Sequence, residues 1–210
     1  MLKKILVEFI GTFFLVFAVV VNASSNSQFA PFAIAATLCV CIYAGGRISG
    51  AHYNPAVSFS LFLRGLVSSK ELVFYVLIQM LAAIFASLVG NLLIKIPFYP
   101  TPGDSYSMLQ IIISELLFTF LLCLVVLNVA AEKSVPSNNY FGLAISLVVL
   151  AGAFSVGGIS GAVFNPAVGV GPAILPAISG NVAHPFLTAY LITPLVGAAF
   201  AALVSKIIND

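Results

Sequence analysis

The sequence predicts an all-α membrane protein of six transmembrane helices plus two half-helices, arranged as an inverted repeat within a single domain spanning 1–210. Three observations carry that prediction. The 210 residues are 61% hydrophobic and only 7% charged; a soluble domain carries about a quarter charged residues, so most of this surface must face lipid. Six apolar stretches have the length, about 17 to 25 residues, that crosses the hydrocarbon core as helix. And SGAHYNPAV at Ser49–Val57 is nearly repeated as SGAVFNPAV at Ser160–Val168, with the asparagines 165 − 54 = 111 positions apart.

The elements follow in order. Ile5–Ala23 is the first span. Lys3 and Lys4 ahead of it imitate a secretory signal, but Glu8 would sit inside the signal's apolar core, so the segment reads as a retained span. Polar Ser24–Gln28 leads into the second span, Ala30–Gly46. The apolar piece Ala56–Leu63 reaches only about halfway across at 1.5 Å per residue, and Arg64-Gly65 ends it with a basic last turn and a C-cap glycine. Leu72–Ile94 is the third span, and Pro97–Ser107 is a linker. Met108–Ala130 and Tyr140–Val156 are the fourth and fifth spans, separated by polar Glu132–Asn139. Ala167–Ile174 is the second half-length piece, and Phe186–Ile208 is the last span. Three spans precede the linker, so the second repeat (about 107–210) is inverted relative to the first (about 1–97). VEFIGTFFLVF and SELLFTFLLCL open the two halves, and YVLIQMLAA at Tyr75 answers YLITPLVGAA at Tyr190.

Basic residues set the orientation. With the N-terminus cytoplasmic, Lys3, Lys4, Arg47, Arg64, Lys70, Lys133 and Lys206 fall on the cytoplasmic side and only Lys95 outside. The prediction is an integral, multi-pass protein with both termini cytoplasmic, in a membrane the sequence does not name. A net charge of +2 without a basic run excludes nucleic acid as a partner. Cys39, Cys41 and Cys123 lie in apolar stretches and read as small buried hydrophobes, with spacing that suits neither a disulfide framework nor a metal site. No cofactor and no metal are expected.

The repeated motif has a physical reading. Pro55 and Pro166 suit the first helical position, where a missing N–H costs nothing. Asn54 and Asn165 suit the cap before it, and Ala56 and Ala167 follow as the first ordinary helical residues. Two short helices entering from opposite faces bring their N-termini together near the midplane. Irregular backbone at Gly46–Tyr53 and Gly157–Phe164 is tolerable there only where protein or water surrounds it. The result is a single-file pore with carbonyl acceptors along its wall, Asn54 and Asn165 as amide donors at the centre, and two positive helix ends that oppose cations. Inverted repeats with broken helices also serve secondary transporters, but no unpaired carboxylate near the motifs offers an ion site. GISG at Gly158–Gly161, with His184 downstream, matches a short intramembrane serine-protease pattern. Ser160 is already explained as the counterpart of Ser49, so no enzymatic activity is expected.

With paired NPA motifs, Glu8 and Glu115 early in the first and fourth spans, and the strings GRISGAHYNPAV and GGISGAVFNPAVGVGPA, the chain resembles the aquaporin (major intrinsic protein) family over essentially its whole length. The resemblance implies an hourglass fold, a pore in each subunit, a homotetramer in the lipid bilayer, and passive conduction of water. It implies that Glu8 and Glu115 accept hydrogen bonds from the loop backbone, where intramembrane carboxylates alone would also suggest a proton relay. His52 either lines the pore or braces its loop. Family spacing puts a selectivity filter at Ile34, Ala153, Ala162 and Val168, and most members carry arginine where Val168 stands. NPAV resembles the plant tonoplast branch, associated with water plus urea, ammonia or hydrogen peroxide. An apolar, arginine-less filter implies passage of such small neutral solutes, glycerol included. Arg47, where the family often has histidine or a small residue, belongs either in the inner vestibule or among lipid headgroups. A closed, junction-forming member of the same fold is a further alternative.

Overall fold

The computed structural model describes the chain except residues 26, 96–97, 132–137 and 179–185, with 175–178 described by backbone alone. Among the described residues eight α-helices run in order: α1 (Leu2–Ser24), α2 (Ala30–Ser49), α3 (Pro55–Leu63), α4 (Ser69–Ile94), α5 (Met108–Val126), α6 (Phe141–Ser160), α7 (Pro166–Ile178) and α8 (Leu187–Asn209). All but α3 and α7 are long and apolar enough to cross a bilayer.

The helix ends differ from the sequence reading for identifiable reasons. α4 starts a turn before Leu72 because the Ser68 side chain accepts from the Glu71 N–H. α2 and α6 run past Gly46 and Val156 to Ser49 and Ser160. Each then stops at a glycine in the left-handed region, Gly50 (φ 91°) and Gly161 (φ 85°), whose N–H bonds back to the carbonyl of Gly46 or Gly157 at 3.0 Å. A side chain at either glycine would be strained. The unwound segments therefore shrink to Gly50–Tyr53 and Gly161–Phe164. The fourth span finishes as a π-turn, Leu127–Ala131, rather than as regular helix. Such a turn leaves peptide groups to be satisfied elsewhere. Here Asn138 Nδ2 donates to the Val129 carbonyl at 2.7 Å. α3 ends as the sequence suggests, with Gly65 N–H on Phe62 O and Leu66 N–H on Leu61 O, both 2.9 Å.

Packing follows the inverted repeat. α1 packs on α2 and α4, as α5 packs on α6 and α8, while the short helices cross over: α3 lies on α8, and α7 on α4. Polarity is distributed inside out. Leu77, Leu92, Leu203 and Ile207 are exposed on the outer surface, whereas Glu8, Gln79, Ser58 and Glu115 are fully buried. The starts of α1, α4 and α6 and the ends of α2, α3, α5 and α8 share one face, called here the termini face. Lys4 Nζ meets Glu71 Oε1 there at 2.7 Å, and Arg64 donates two bonds to Asp210, at 2.8 and 3.2 Å. The Arg64 hydrogen bonds hold the Asp210 carboxyl below its ordinary range, so this exposed clasp persists at neutral pH and is lost only as pH falls through that lowered value. Lys95 caps α4 on the opposite, linker face; Lys133 lies outside the described residues.

Candidate pore

Each motif hangs from a buried carboxylate. Glu8 accepts from Ser49 Oγ (2.7 Å), His52 N (3.0 Å), Tyr53 N (2.8 Å) and Gln79 Nε2 (2.9 Å). Glu115 accepts from Ser160 Oγ (2.7 Å), Val163 N (3.0 Å) and Phe164 N (2.7 Å). Tyr75 and Tyr190 hydroxyls then donate to the carbonyls of Ser49 and Ser160, each at 2.6 Å. These bonds hold a costly backbone: Ala51, Tyr53, Ala162 and Phe164 all have φ between 48° and 52°, a region uncommon for residues with a side chain. No described group donates to the carbonyls of 50–52 or 161–163, which leaves them as acceptors for water. Ser160 Oγ is fully used as a brace, accepting from Ala162 N at 3.1 Å while donating to Glu115. His184 lies outside the described residues.

The asparagines tie the two short helices end to end. Asn54 Oδ1 accepts from Ala56 N (2.8 Å) and Asn165 Oδ1 from Ala167 N (2.9 Å), capping α3 and α7. Asn54 Nδ2 donates across to Phe164 O (2.9 Å), and Asn165 Nδ2 to Tyr53 O (3.0 Å). A primary amide has two N–H groups, so one on each asparagine remains without a described protein partner. Pro55 and Pro166 occupy the first helical positions.

Both asparagines line a cavity of about 410 Å³. Its walls are helix stripes at four-residue spacing, the repeat that keeps side chains on one face. α2 contributes Ala30, Ile34, Leu38 and Ile42; α6 contributes Ile145, Val149, Ala153 and Gly157; α1 and α5 supply shorter stripes from Leu15 and Leu122. Ile34, Ala153, Ala162 and Val168 all belong to this lining, as does His52. His52 does both things the sequence left open: it lines the cavity, and its Nδ1 lies 2.9 Å from Ser58 Oγ, which also accepts from Gln79 Nε2 at 3.1 Å. The matching places in the second half hold Val163, Gly169 and Pro194. Glu8 and Glu115 do not reach the cavity. Neither does Arg47: it is exposed in the last turn of α2, one step around the helix from the inward stripe, which argues against a vestibule role.

The sequence reading missed the wall's length and one of its components. Stripes could have been extended by fours from Ile34 and Ala153. The linker was read as mere punctuation, yet Phe98, Pro100 and Thr101 line the cavity.

Two substitutions probe this wall. Cys39, Cys41 and Cys123 are free thiols outside the lining, whereas Ala162 is in it. Mercurials are expected to spare water flux in the unmodified protein and to abolish most of it in Ala162→Cys; strong block surviving removal of all three cysteines would contradict the placement. A side chain at Gly157 would meet no atom within 4 Å at its Cβ. Gly157→Leu is therefore expected to fold at least as well, since glycine costs a helix about 1 kcal/mol. It should lower solute flux more than water flux by filling the cavity, which parallel melting and permeability measurements check.

Comparison with known proteins gives the family and the fold. The family model described as Major intrinsic protein matches residues 1–205. The chain is 36% identical to "Aquaporin NIP1-1" of Zea mays, over 99% of this chain and 75% of that one. It is 33% identical to "Probable aquaporin AqpM" of Archaeoglobus fulgidus, over 95% and 94%. Its fold is similar to the X-ray structure of the aquaglyceroporin from Plasmodium falciparum, with a TM-score of 0.88 at 23% identity, covering 99% and 97% of the two chains. The arrangement of six spans and two short helices is thus matched in fold, the sequence match runs over nearly the whole chain, and the chain belongs to the major intrinsic protein family of membrane channels.

Proposed function

We propose that this chain is a passive channel for water and for small neutral solutes such as urea, glycerol, ammonia and hydrogen peroxide, with Ile34, Ala153, Ala162 and Val168 as its filter. The observation that carries this reading is the cavity lining. Among the described residues it contains no charged side chain, it is apolar along its helix stripes, and it is crossed at its waist by Asn54 and Asn165. The N-termini of α3 and α7 face each other there, each worth roughly half a positive charge, which opposes cations without an arginine. Valine in place of a guanidinium removes donors and a fixed charge and adds room, so entry is governed by size and desolvation. The cation barrier is then lower than in an arginine-bearing relative, though not absent. The basic termini face supports cytoplasmic termini, and family resemblance supports a homotetramer, which the mass of the detergent-solubilised protein checks.

Proteoliposome swelling tests passivity. Water and urea flux should rise linearly with their own gradients and ignore imposed proton and sodium gradients. Flux coupled to either ion would favour a transporter, and no flux at all a closed structural member of the fold.

A further inference from the structure

We infer that Thr101 is a specificity-determining residue of the pore, supplying the side-chain hydrogen-bond donor that an arginine-less filter lacks. This rests on the channel reading above and goes beyond its four filter positions. Among the described residues lining the cavity, only Asn54, Asn165, His52 and Thr101 carry hydrogen-bonding side chains. The first three belong to the motifs at the waist and on the termini side. On the linker side, the carbonyls of 161–163, which no described group donates to, can only accept. A urea or glycerol molecule entering there sheds water from its own oxygens and needs a donor in return. Thr101 has a hydroxyl, and no described protein group hydrogen-bonds it.

The surrounding sequence holds Thr101 in place. It stands between Pro100 and Pro102, both buried while Thr101 itself is exposed. Pro100 has a fixed φ, and a residue before proline is confined to extended backbone, so the segment is stiff. Both flanks are anchored. Phe98 N donates to Asn91 Oδ1 at 3.1 Å, and Phe98 packs with the cluster that includes Val163 and Val168. Gly103 N donates to Ile159 O at 3.2 Å, and a Cβ on Gly103 would collide with Gly158 O. Only glycine lets the linker approach the end of α6 so closely. The corresponding carbonyl at the end of α2, that of Ile48, has no described loop donor. The repeat is broken at the place where Thr101 enters.

The test compares Thr101→Val, Thr101→Ser and Thr101→Ala in proteoliposomes, with water, urea and glycerol permeabilities read in the same preparations. Valine keeps the shape and removes the hydroxyl. Urea and glycerol permeability relative to water should fall about three- to tenfold, the worth of one hydrogen bond. Serine should retain the original ratio. Alanine should lower it despite the added room. A rise with alanine, or an unchanged ratio in valine with water flux intact, would overturn the role of Thr101 and leave the channel reading standing. Absence of water flux in the unmodified protein would remove the channel reading itself.

Discussion

Val168→Arg is expected to cut urea and glycerol permeability by roughly tenfold or more, an added barrier of about 1.4 kcal/mol, while reducing water flux far less. Val168 is 6% exposed and lines the cavity in the first turn of α7, so a guanidinium introduced there projects into a confined space. The carbonyls of 161–163, without a donor among the described residues, belong to the same wall and offer the acceptors such a group requires. The new charge should also raise the barrier to cations. Solute-to-water permeability ratios at matched protein density measure the effect. An equal reduction of all fluxes would mean that the arginine merely plugs the pore.

Loss of a motif carboxylate should be the largest effect on the fold. Glu115→Ala leaves Ser160 Oγ, Val163 N and Phe164 N without their acceptor, and an orphaned buried donor costs about 1–3 kcal/mol. The sum rivals the 5–15 kcal/mol that holds a typical domain together. Little folded protein should survive solubilisation. Glu8→Ala removes an acceptor from four donors and should be worse. Glu115→Gln keeps the shape and one acceptor oxygen, so it should fall between. Melting in detergent ranks the three; an unchanged midpoint for Glu115→Ala would show that the loop is held by something else.

The legible parts of this molecule were those with a local physical signature. Asparagine followed by proline announces a capped helix start, and a glycine after a polar residue announces a helix end. Apolar length announces a span, and the second copy of each signal fixed the inversion. Ser49 and Ser160 were visible as partners of one another before their bonds to Glu8 and Glu115 were known. Less legible were features set by tertiary contact. The extra turn of α2 and α6 depends on tyrosines from α4 and α8 holding the last carbonyls. The π-turn's Val129 carbonyl is met by the Asn138 side chain nine residues further on, a partner that no helix-end signal announces. Arg47 fits either the inner vestibule or the lipid headgroups by sequence alone, and helical rotation carries it outward. Thr101 sits in a loop whose two prolines spell stiffness without saying what they stiffen against.

The most direct measurement of the wide-filter claim is stopped-flow light scattering on proteoliposomes of the unmodified protein, with water, urea and glycerol compared in parallel. An apolar filter of Ile34, Ala153, Ala162 and Val168 should give urea and glycerol permeabilities clearly above those of empty liposomes, alongside rapid water flux. Rapid water flux with urea and glycerol both at the level of empty liposomes would contradict it, since the narrowest point would then lie elsewhere in the pore.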